Sequence, residues 1–141
     1  MLGNSDLTAE SLNALKTLCL ANAQECFFRK ARGDNMKDET VAKIAAKAAE
    51  LFKLASETYP GQKNEGPLML SKSHYFGAMA EYLKSKGCVA AGKYGEEIAR
   101  LRSADVLLKK VLDAAKHLPD ALVNDAKVLR THNKLILLSS S

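Results

Sequence analysis

The sequence has no tryptophan and only three prolines, and aromatic residues make up just 6% of its 141 residues. No segment alternates polar and apolar residues for long enough to indicate a β-strand. Apolar residues nevertheless account for 47% and charged residues for 26%, a balance typical of globular proteins rather than disordered ones. With alanine abundant, the composition predicts one all-α domain whose helices pack closely through small side chains.

Long hydrophobic runs are also missing. The most apolar run, "LILL" at 135–138, is far shorter than the roughly 20 residues that a membrane-spanning helix needs. The sequence has an odd number of cysteines (Cys19, Cys26 and Cys88), no N-x-[ST] glycosylation site and a polar start, "MLGNSD". These features predict a reducing, cytosolic location, with the three cysteines acting as small packed hydrophobic residues.

The charge balance is mildly basic, with 21 lysines and arginines against 16 acidic residues and a net charge of +5. This excess favours acidic peptides or anionic lipid headgroups and does not choose between them. Because the basic residues are scattered among acids, a nucleic-acid partner is not expected. The three histidines lie far apart and pair with no cysteine, and no group of residues resembles a catalytic site. We therefore expect no enzyme, no metal and no cofactor.

Turn residues and apolar periodicity divide the chain into five predicted helices, at 8–32, 38–58, 67–86, 89–118 and 120–137. Ser5, Asp6 and Thr8 are candidate N-caps for the first helix, and Asp38 for the second. The strongest loop signal is "YPGQKNEG" at 59–66, and a break is expected near Gly87. Successive long hairpins predict an antiparallel, solenoid-like array over residues 1–141.

The stretch "GCVAAGKYG" at 87–95 resembles a phosphate-binding loop at Gly87, Gly92 and Lys93. Tyr94 stands where such a loop needs serine or threonine to hold Mg²⁺, and a helix rather than a strand precedes it. A helix is the better interpretation, with surface pairs between Lys93 and Glu97 and between Glu96 and Arg100. Gly92 and Gly95 are then expected to admit a neighbouring helix closely.

Phe27 and Phe28 are adjacent, so on a helix their side chains point about 100° apart and cannot share the centre of one buried stripe. Two interpretations remain open from the residues alone. Either both rings fill core between neighbouring hairpins, or one of them faces a groove or a partner.

Four stretches together resemble consecutive blocks of the BRO domain, the module at the N-terminus of Alix-like adaptors of the ESCRT pathway. They are "LCLANAQECFFRKA" (18–31), "MKDETVAKIAAKAAELF" (36–52), "SKSHYFGAMAEY" (71–82) and "KYGEEIARL" (93–101). The resemblance covers roughly residues 5–136 but only the later, helical, tetratricopeptide-like half of a BRO domain. It leaves open whether the chain is a truncated gene product, a fragment or the product of an incomplete gene model.

The resemblance implies a non-catalytic adaptor in endosomal, multivesicular-body sorting. Its partner would be the C-terminal amphipathic helix of an ESCRT-III subunit, and it would be cytoplasmic and endosome-associated, with peripheral membrane contact. Matching the blocks residue by residue places the binding groove at Phe27, Thr40 and Ile44, with Lys43 and Lys47 beside it to meet an acidic peptide. Thr40 departs from the family, where an aliphatic residue is usual, and Leu137 replaces a family tyrosine. Phe27 would then face the groove and Phe28 the core.

The alternative is a truncated, poorly folded or regulatory fragment that does not bind ESCRT-III. A chain that corresponds to half of a family domain would leave its first helices uncovered.

Overall fold

Five α-helices follow one another in the computed structural model, which describes residues 8–58 and 65–139. They are α1 (Ala9–Gly33), α2 (Asp38–Thr58), α3 (Glu65–Ala90), α4 (Tyr94–Asp113) and α5 (Asp120–Ser139). A single 3₁₀ turn, Ala115–His117, lies between α4 and α5. Those two ranges contain no β-strand, which confirms the all-α prediction.

The first hairpin has local signals at both of its helix ends. Thr8 is the N-cap of α1, and its hydroxyl oxygen accepts a hydrogen bond from the backbone N–H of Ser11 at 3.1 Å. Asn35 adopts a left-handed conformation with φ 56°, which reverses the chain between α1 and α2. Asp38 and Glu39 occupy the first turn of α2, where the helix dipole favours negative charge. Two other predicted caps, Ser5 and Asp6, lie outside the described residues.

The break predicted near Gly87 is wrong, because α3 continues to Ala90. Gly92, with φ +75°, ends the helix: its N–H bonds to the carbonyl of Val89 at 3.0 Å, and the N–H of Lys93 bonds to that of Cys88 at 2.8 Å. This is the Schellman arrangement of a helix C-terminus, in which a left-handed residue satisfies the last carbonyls. As a result α4 occupies 94–113 rather than 89–118. Most of the predicted loop, 59–64, lies outside the described residues, and Glu65 and Gly66 belong to α3.

The expected role of the glycines near 90 is also wrong. Gly92 serves chain reversal, and a Cβ added at Gly95 would meet no atom within 4 Å. The close approach occurs at Gly77 on α3 instead, where an added Cβ would lie 3.2 Å from Cδ1 of Leu107 on α4. A side chain at residue 77 would therefore press on the neighbouring helix.

Successive helices pack against each other in antiparallel pairs, and polar contacts fix their register. Gln24 on α1 donates to the backbone carbonyl of Ile44 on α2, Arg100 on α4 bonds Glu81 on α3, and Arg130 on α5 bonds Asp105 on α4. The third helix lies at the centre and contacts α2, α4 and α5. Because each hairpin buries one face on the next, the array has the solenoid organisation that the sequence predicted.

Candidate functional site

The two adjacent phenylalanines of α1 point to different environments. Phe28 is 5% exposed and packs edge-to-face on Phe76 of α3, with ring centroids 5.2 Å apart. Phe76 in turn stacks on Phe52 of α2 at 5.8 Å, so this ring cluster joins three helices. Phe27 is 49% exposed. The division of the pair, with Phe28 in the core and Phe27 at the surface, agrees with the predicted orientation.

The four candidate residues of α2 do not form a uniformly exposed row. Ile44 is only 6% exposed and belongs to the core, whereas Thr40 is half-buried at the start of the helix. Lys43 and Lys47 lie at the surface, each within ion-pair distance of an acid on its own helix: Glu39 at 3.8 Å and Glu50 at 3.5 Å. Ile44 therefore lies beneath the surface and offers little area to a partner. The two lysines place positive charge along the exposed edge of α2.

Buried polar contacts hold α1 against α2 and α3 at this surface. The Gln24 side chain donates to the Ile44 carbonyl at 3.1 Å, which fixes α1 against α2 within one helical turn of Phe27. The next residue, Glu25, points about 100° away and accepts from Lys72 of α3 at 2.9 Å and from Arg29 at 2.9 Å. Burial raises the pKa of Glu25, but the hydrogen bonds from Lys72 and Arg29 outweigh it, and the pKa lies below its ordinary value. Glu25 is therefore a stable anion at neutral pH.

Two exposed leucines near this surface were not predicted to be part of it. Leu20 is 49% exposed and precedes Phe27 by seven residues, two turns along the same face of α1. Leu54 is 46% exposed and follows Lys47 by seven residues on α2. Since α1 and α2 run antiparallel, the two leucines extend the apolar surface toward the other end of the hairpin. The seven-residue spacing was visible in the sequence, but their exposure was not.

We define the α1–α2 groove as Leu20, Phe27, Thr40, Ile44 and Leu54, with Lys43 and Lys47 at its edge. It offers apolar contact at three half-exposed side chains and a cationic edge on α2. Such a surface can bind the apolar face of an amphipathic helix whose polar face is acidic.

The outer face of α1 is also apolar, which the expectation for the cysteines missed. Cys19 and Cys26 are exposed, in the company of Leu12 at 50% and Leu15 at 47% exposure. Only Cys88 on α3 is buried, as predicted for all three. The reason is the position of α1 at one end of the described array, where it packs on neighbours along one side only.

The phosphate-loop resemblance maps to a cleft of about 390 Å³ between the start of α2, the end of α3 and the start of α4. Gly87 and Lys93 do line this cleft, together with residues of both charges: Asp38, Glu39, Glu96, Lys43, Lys84 and Arg100. A helix rather than a strand leads into it, so it lacks the strand–loop–helix context of a phosphate loop. Of the two predicted surface pairs, Glu96 binds Arg100 at 3.1 Å. Lys93 instead caps α4 through its carbonyl, and Glu97 is buried.

The array of hairpins, with the apolar α1–α2 groove at its surface, is a helical scaffold. No helix in the described ranges is long and apolar enough to cross a membrane. The chain belongs to the BRO1-like domain family, whose family model matches residues 2–140.

Curated relatives support this assignment. The chain is 35% identical over 130 residues to the pH-response regulator protein palA/RIM20 of Aspergillus oryzae, a match that covers 89% of the chain and 16% of that relative. It is 39% identical over 112 residues to the human programmed cell death 6-interacting protein, covering 75% of the chain and 13% of the relative. The chain thus spans about a sixth of the length of the relatives it matches.

A solved structure shares the fold. The crystal structure of ALIX in complex with the SIVmac239 PYKEVTEDL late domain superposes with a TM-score of 0.87 at 31% sequence identity. The match covers 96% of this chain and 19% of that one. The predicted tetratricopeptide-like helical portion of a BRO domain is therefore confirmed.

Proposed function

We propose that this chain is a non-catalytic adaptor module that binds the C-terminal amphipathic helix of an ESCRT-III subunit in the α1–α2 groove. The observation that carries the proposal is the half-exposed ring of Phe27. Because Phe28 packs in the core, Phe27 points to the surface, where its ring contributes little to internal packing and is available to a partner. Membership of the BRO1-like family supports the adaptor role.

The chemistry of the groove supports an acidic, amphipathic helix as its ligand. Leu20, Phe27 and Leu54 together offer apolar contact over about two helical turns of α1 and α2. Lys43 and Lys47 are more than half exposed, and their pairs with Glu39 and Glu50 are long and solvated, so both lysines are free to meet an acidic partner. Thr40 and Ile44 of α2 form the less exposed part of the groove.

A binding titration tests the groove. The probe is a fluorescently labelled peptide containing the C-terminal helix of an ESCRT-III subunit, and the variants are Phe27→Asp and the matched control Val106→Asp. Val106 is 58% exposed on α4, outside the groove, so its variant places the same charge on a different surface. We expect Phe27→Asp to weaken binding at least about tenfold, as for a central contact residue, and Val106→Asp to change it little.

Equal affinity of the two variants would contradict the groove assignment. The double variant Lys43→Glu, Lys47→Glu addresses the cationic edge separately. It should weaken binding a few-fold and reduce its salt dependence, because exposed charges act mainly through screened, long-range attraction.

The adaptor role further predicts a cytoplasmic protein that associates with endosomes, with its net charge of +5 aiding contact with anionic membrane. The competing proposal, a poorly folded fragment without ESCRT-III binding, is favoured by the exposed outer face of α1. Thermal unfolding followed by circular dichroism separates the two. A single cooperative transition supports a folded module, whereas a broad, non-cooperative melt supports the fragment.

A further inference from the structure

A second cleft, of about 350 Å³, lies between α3 and α5 and shares no residue with the α1–α2 groove. It is lined by four residues of α5, three of α3 and one of α1: Asp125, Val128, Leu129, His132, Tyr75, Met79, Tyr82 and Arg32. On α1, Arg32 follows Phe27 by five residues and so points about 140° away from it. The two surfaces therefore lie on different sides of the helix array.

The lining residues follow a regular register along two helices. Tyr82 packs edge-to-face on His132 at 5.4 Å, and Tyr75 interacts electrostatically with Asp125. Both pairs are separated by 50 residues in sequence, so α3 and α5 run parallel along the cleft. Seven helical residues from one pair to the other correspond to about 10 Å, with Met79 and Leu129 between them.

Two tyrosine hydroxyls that border this cleft have no hydrogen-bond partner within the described residues. Tyr75 is 7% and Tyr82 is 6% exposed, yet neither hydroxyl makes a hydrogen bond within the described residues. Burial, followed by the nearby Asp125 carboxylate, raises the pKa of Tyr75 to about 12, so this hydroxyl keeps its proton at neutral pH. Neither hydroxyl oxygen is itself fully buried, so both are open to the cleft, where a ligand can supply the partner that a largely buried polar side chain normally has.

The charged groups of the cleft make few direct contacts. Arg32 has a single weak contact, from Nη1 to the sulfur of Met79 at 3.7 Å. Asp125 forms no salt bridge within the part of the chain that the structure describes, although it interacts electrostatically with Arg29. Lys86 lies over the Tyr82 ring at 4.9 Å and adds positive charge at that end. The cleft thus offers a guanidinium group for a carboxylate and a carboxylate for an N–H donor.

We propose that the α3–α5 cleft binds a short, extended polypeptide segment carrying one acidic side chain. An extended chain spans the 10 Å between the two tyrosines with about three residues, and its alternating N–H and C=O groups match hydroxyls that both donate and accept. The acidic side chain pairs with Arg32, a backbone N–H donates to Asp125, and an apolar side chain rests on Met79 and Leu129. A phosphate group offers no donor to Asp125 and would leave that carboxylate without a partner.

Nuclear magnetic resonance on the full chain tests this cleft directly. The probe is a pool of end-capped pentapeptides with aspartate fixed at the centre and the flanking positions randomised without cysteine. The control pool carries asparagine at the centre. We expect saturable shifts of the Arg32 Nε–Hε signal and of the Tyr75 and Tyr82 ring signals, with the asparagine pool binding at least about fivefold more weakly because it lacks the charged partner of Arg32.

Variants assign the effect to the cleft. Arg32→Gln should weaken binding of the aspartate pool by about tenfold or more, whereas Arg102→Gln, at an exposed arginine of α4 outside the cleft, should leave it unchanged. Tyr75→Phe and Tyr82→Phe remove only the hydroxyls and should each weaken binding a few-fold. An unchanged melting temperature of Arg32→Gln shows that the loss concerns binding rather than folding.

Three results would overturn the proposal. They are the lack of any saturable shift at these three residues, equal binding of the two pools, and an equal response to sodium phosphate at the same concentration. The last would make the cleft a simple anion site. Because Phe27→Asp lies outside this cleft, it should leave pool binding intact, which separates this test from that of the α1–α2 groove.

Discussion

Helices α1 and α3 are similar in length and both rich in apolar residues, but they are buried very differently. Twelve residues of α3 are buried, on all sides of the helix, and they include three serines and two tyrosines. Only four residues of α1 are buried, three of them alanines, whereas four large apolar side chains stay about half exposed: Leu12, Leu15, Leu20 and Phe27. The difference comes from their neighbours, because α3 lies between other helices and α1 contacts the described array along one side.

The comparison shows which helix keeps apolar surface exposed. On α3 even polar side chains are used for internal packing, as in the hydrogen bond from the Ser73 hydroxyl to the carbonyl of Ala49 on α2 at 2.8 Å. On α1 apolar side chains remain available for a partner. We therefore expect an interaction surface at the end of a helical array rather than at its centre, because the apolar faces of central helices are already buried against neighbouring helices.

The largest effect expected from this contrast is on stability. Phe76 on α3 is 2% exposed and contacts the rings of Phe28, Phe52 and Tyr75, so Phe76→Ala should lower the free energy of unfolding by about 3–5 kcal/mol. Phe27→Ala on α1 removes a half-exposed ring and should cost less than about 1 kcal/mol. Urea unfolding of both variants measures the difference. Equal losses would mean that α1 is covered as fully as α3.

A smaller effect is expected where α3 meets α4. Gly77→Val adds atoms 3.2 Å from Leu107 and should destabilise by about 1–3 kcal/mol through overpacking. Gly87→Val is the matched control on the same helix, since an added Cβ there meets nothing within 4 Å. The same unfolding measurement applies to both. If the two variants were equally stable, the close packing of α3 on α4 would not exist in solution.

The smallest expected effect concerns the ionic contact that joins α1 to α3. Glu25→Gln removes the charge that accepts from Lys72 and Arg29 and should cost about 1 kcal/mol at pH 7. Because the folded-state pKa of Glu25 lies below its ordinary value of 4.5, this contribution is present above pH 4.5. It is lost as the pH falls through the folded-state pKa.

The measurement is the free energy of unfolding of wild type and Glu25→Gln from pH 7 downward, and the difference should shrink once the pH falls below 4.5. Glu50→Gln is the control, since its pair with Lys47 is solvated, lies away from the start of α2 and should contribute less than about 0.5 kcal/mol at any pH. A constant difference between wild type and Glu25→Gln across this range would show that the ionised carboxylate is not what stabilises the contact.

Much of the fold could be predicted because helix formation is governed by local signals. Periodicity, capping residues and turn residues located five helices, and Thr8 and Asp38 mark predicted helix starts that the structure retains. The error at Gly87 has a local cause as well. Gly87 and Gly92 lie five residues apart, and the break was predicted at Gly87, whereas the left-handed turn that ends α3 lies at Gly92.

The candidate site was less predictable, because a residue's exposure depends on what packs against it. The sequence showed that the side chains of Phe27 and Phe28 point in different directions. It did not show which of them is buried and which is exposed. Ile44 carries the spacing of a groove residue, yet it faces α1 closely enough to be 6% exposed. Leu20 and Leu54 have the pattern of core leucines and lie at the surface, and the α3–α5 cleft joins residues 50 positions apart that no motif connects.

The amino-acid sequence by itself determined that this protein is helical, where most of its helices lie and which family it resembles, since all three depend on the order of residues along the chain. Tertiary structure alone decided which apolar faces are covered, that Gly77 rather than Gly95 admits a neighbour, and that Tyr75 and Tyr82 border one cleft between α3 and α5. The physical reason is that burial, unlike helix formation, is a property of pairs of helices, and the pairs come together only when the chain folds.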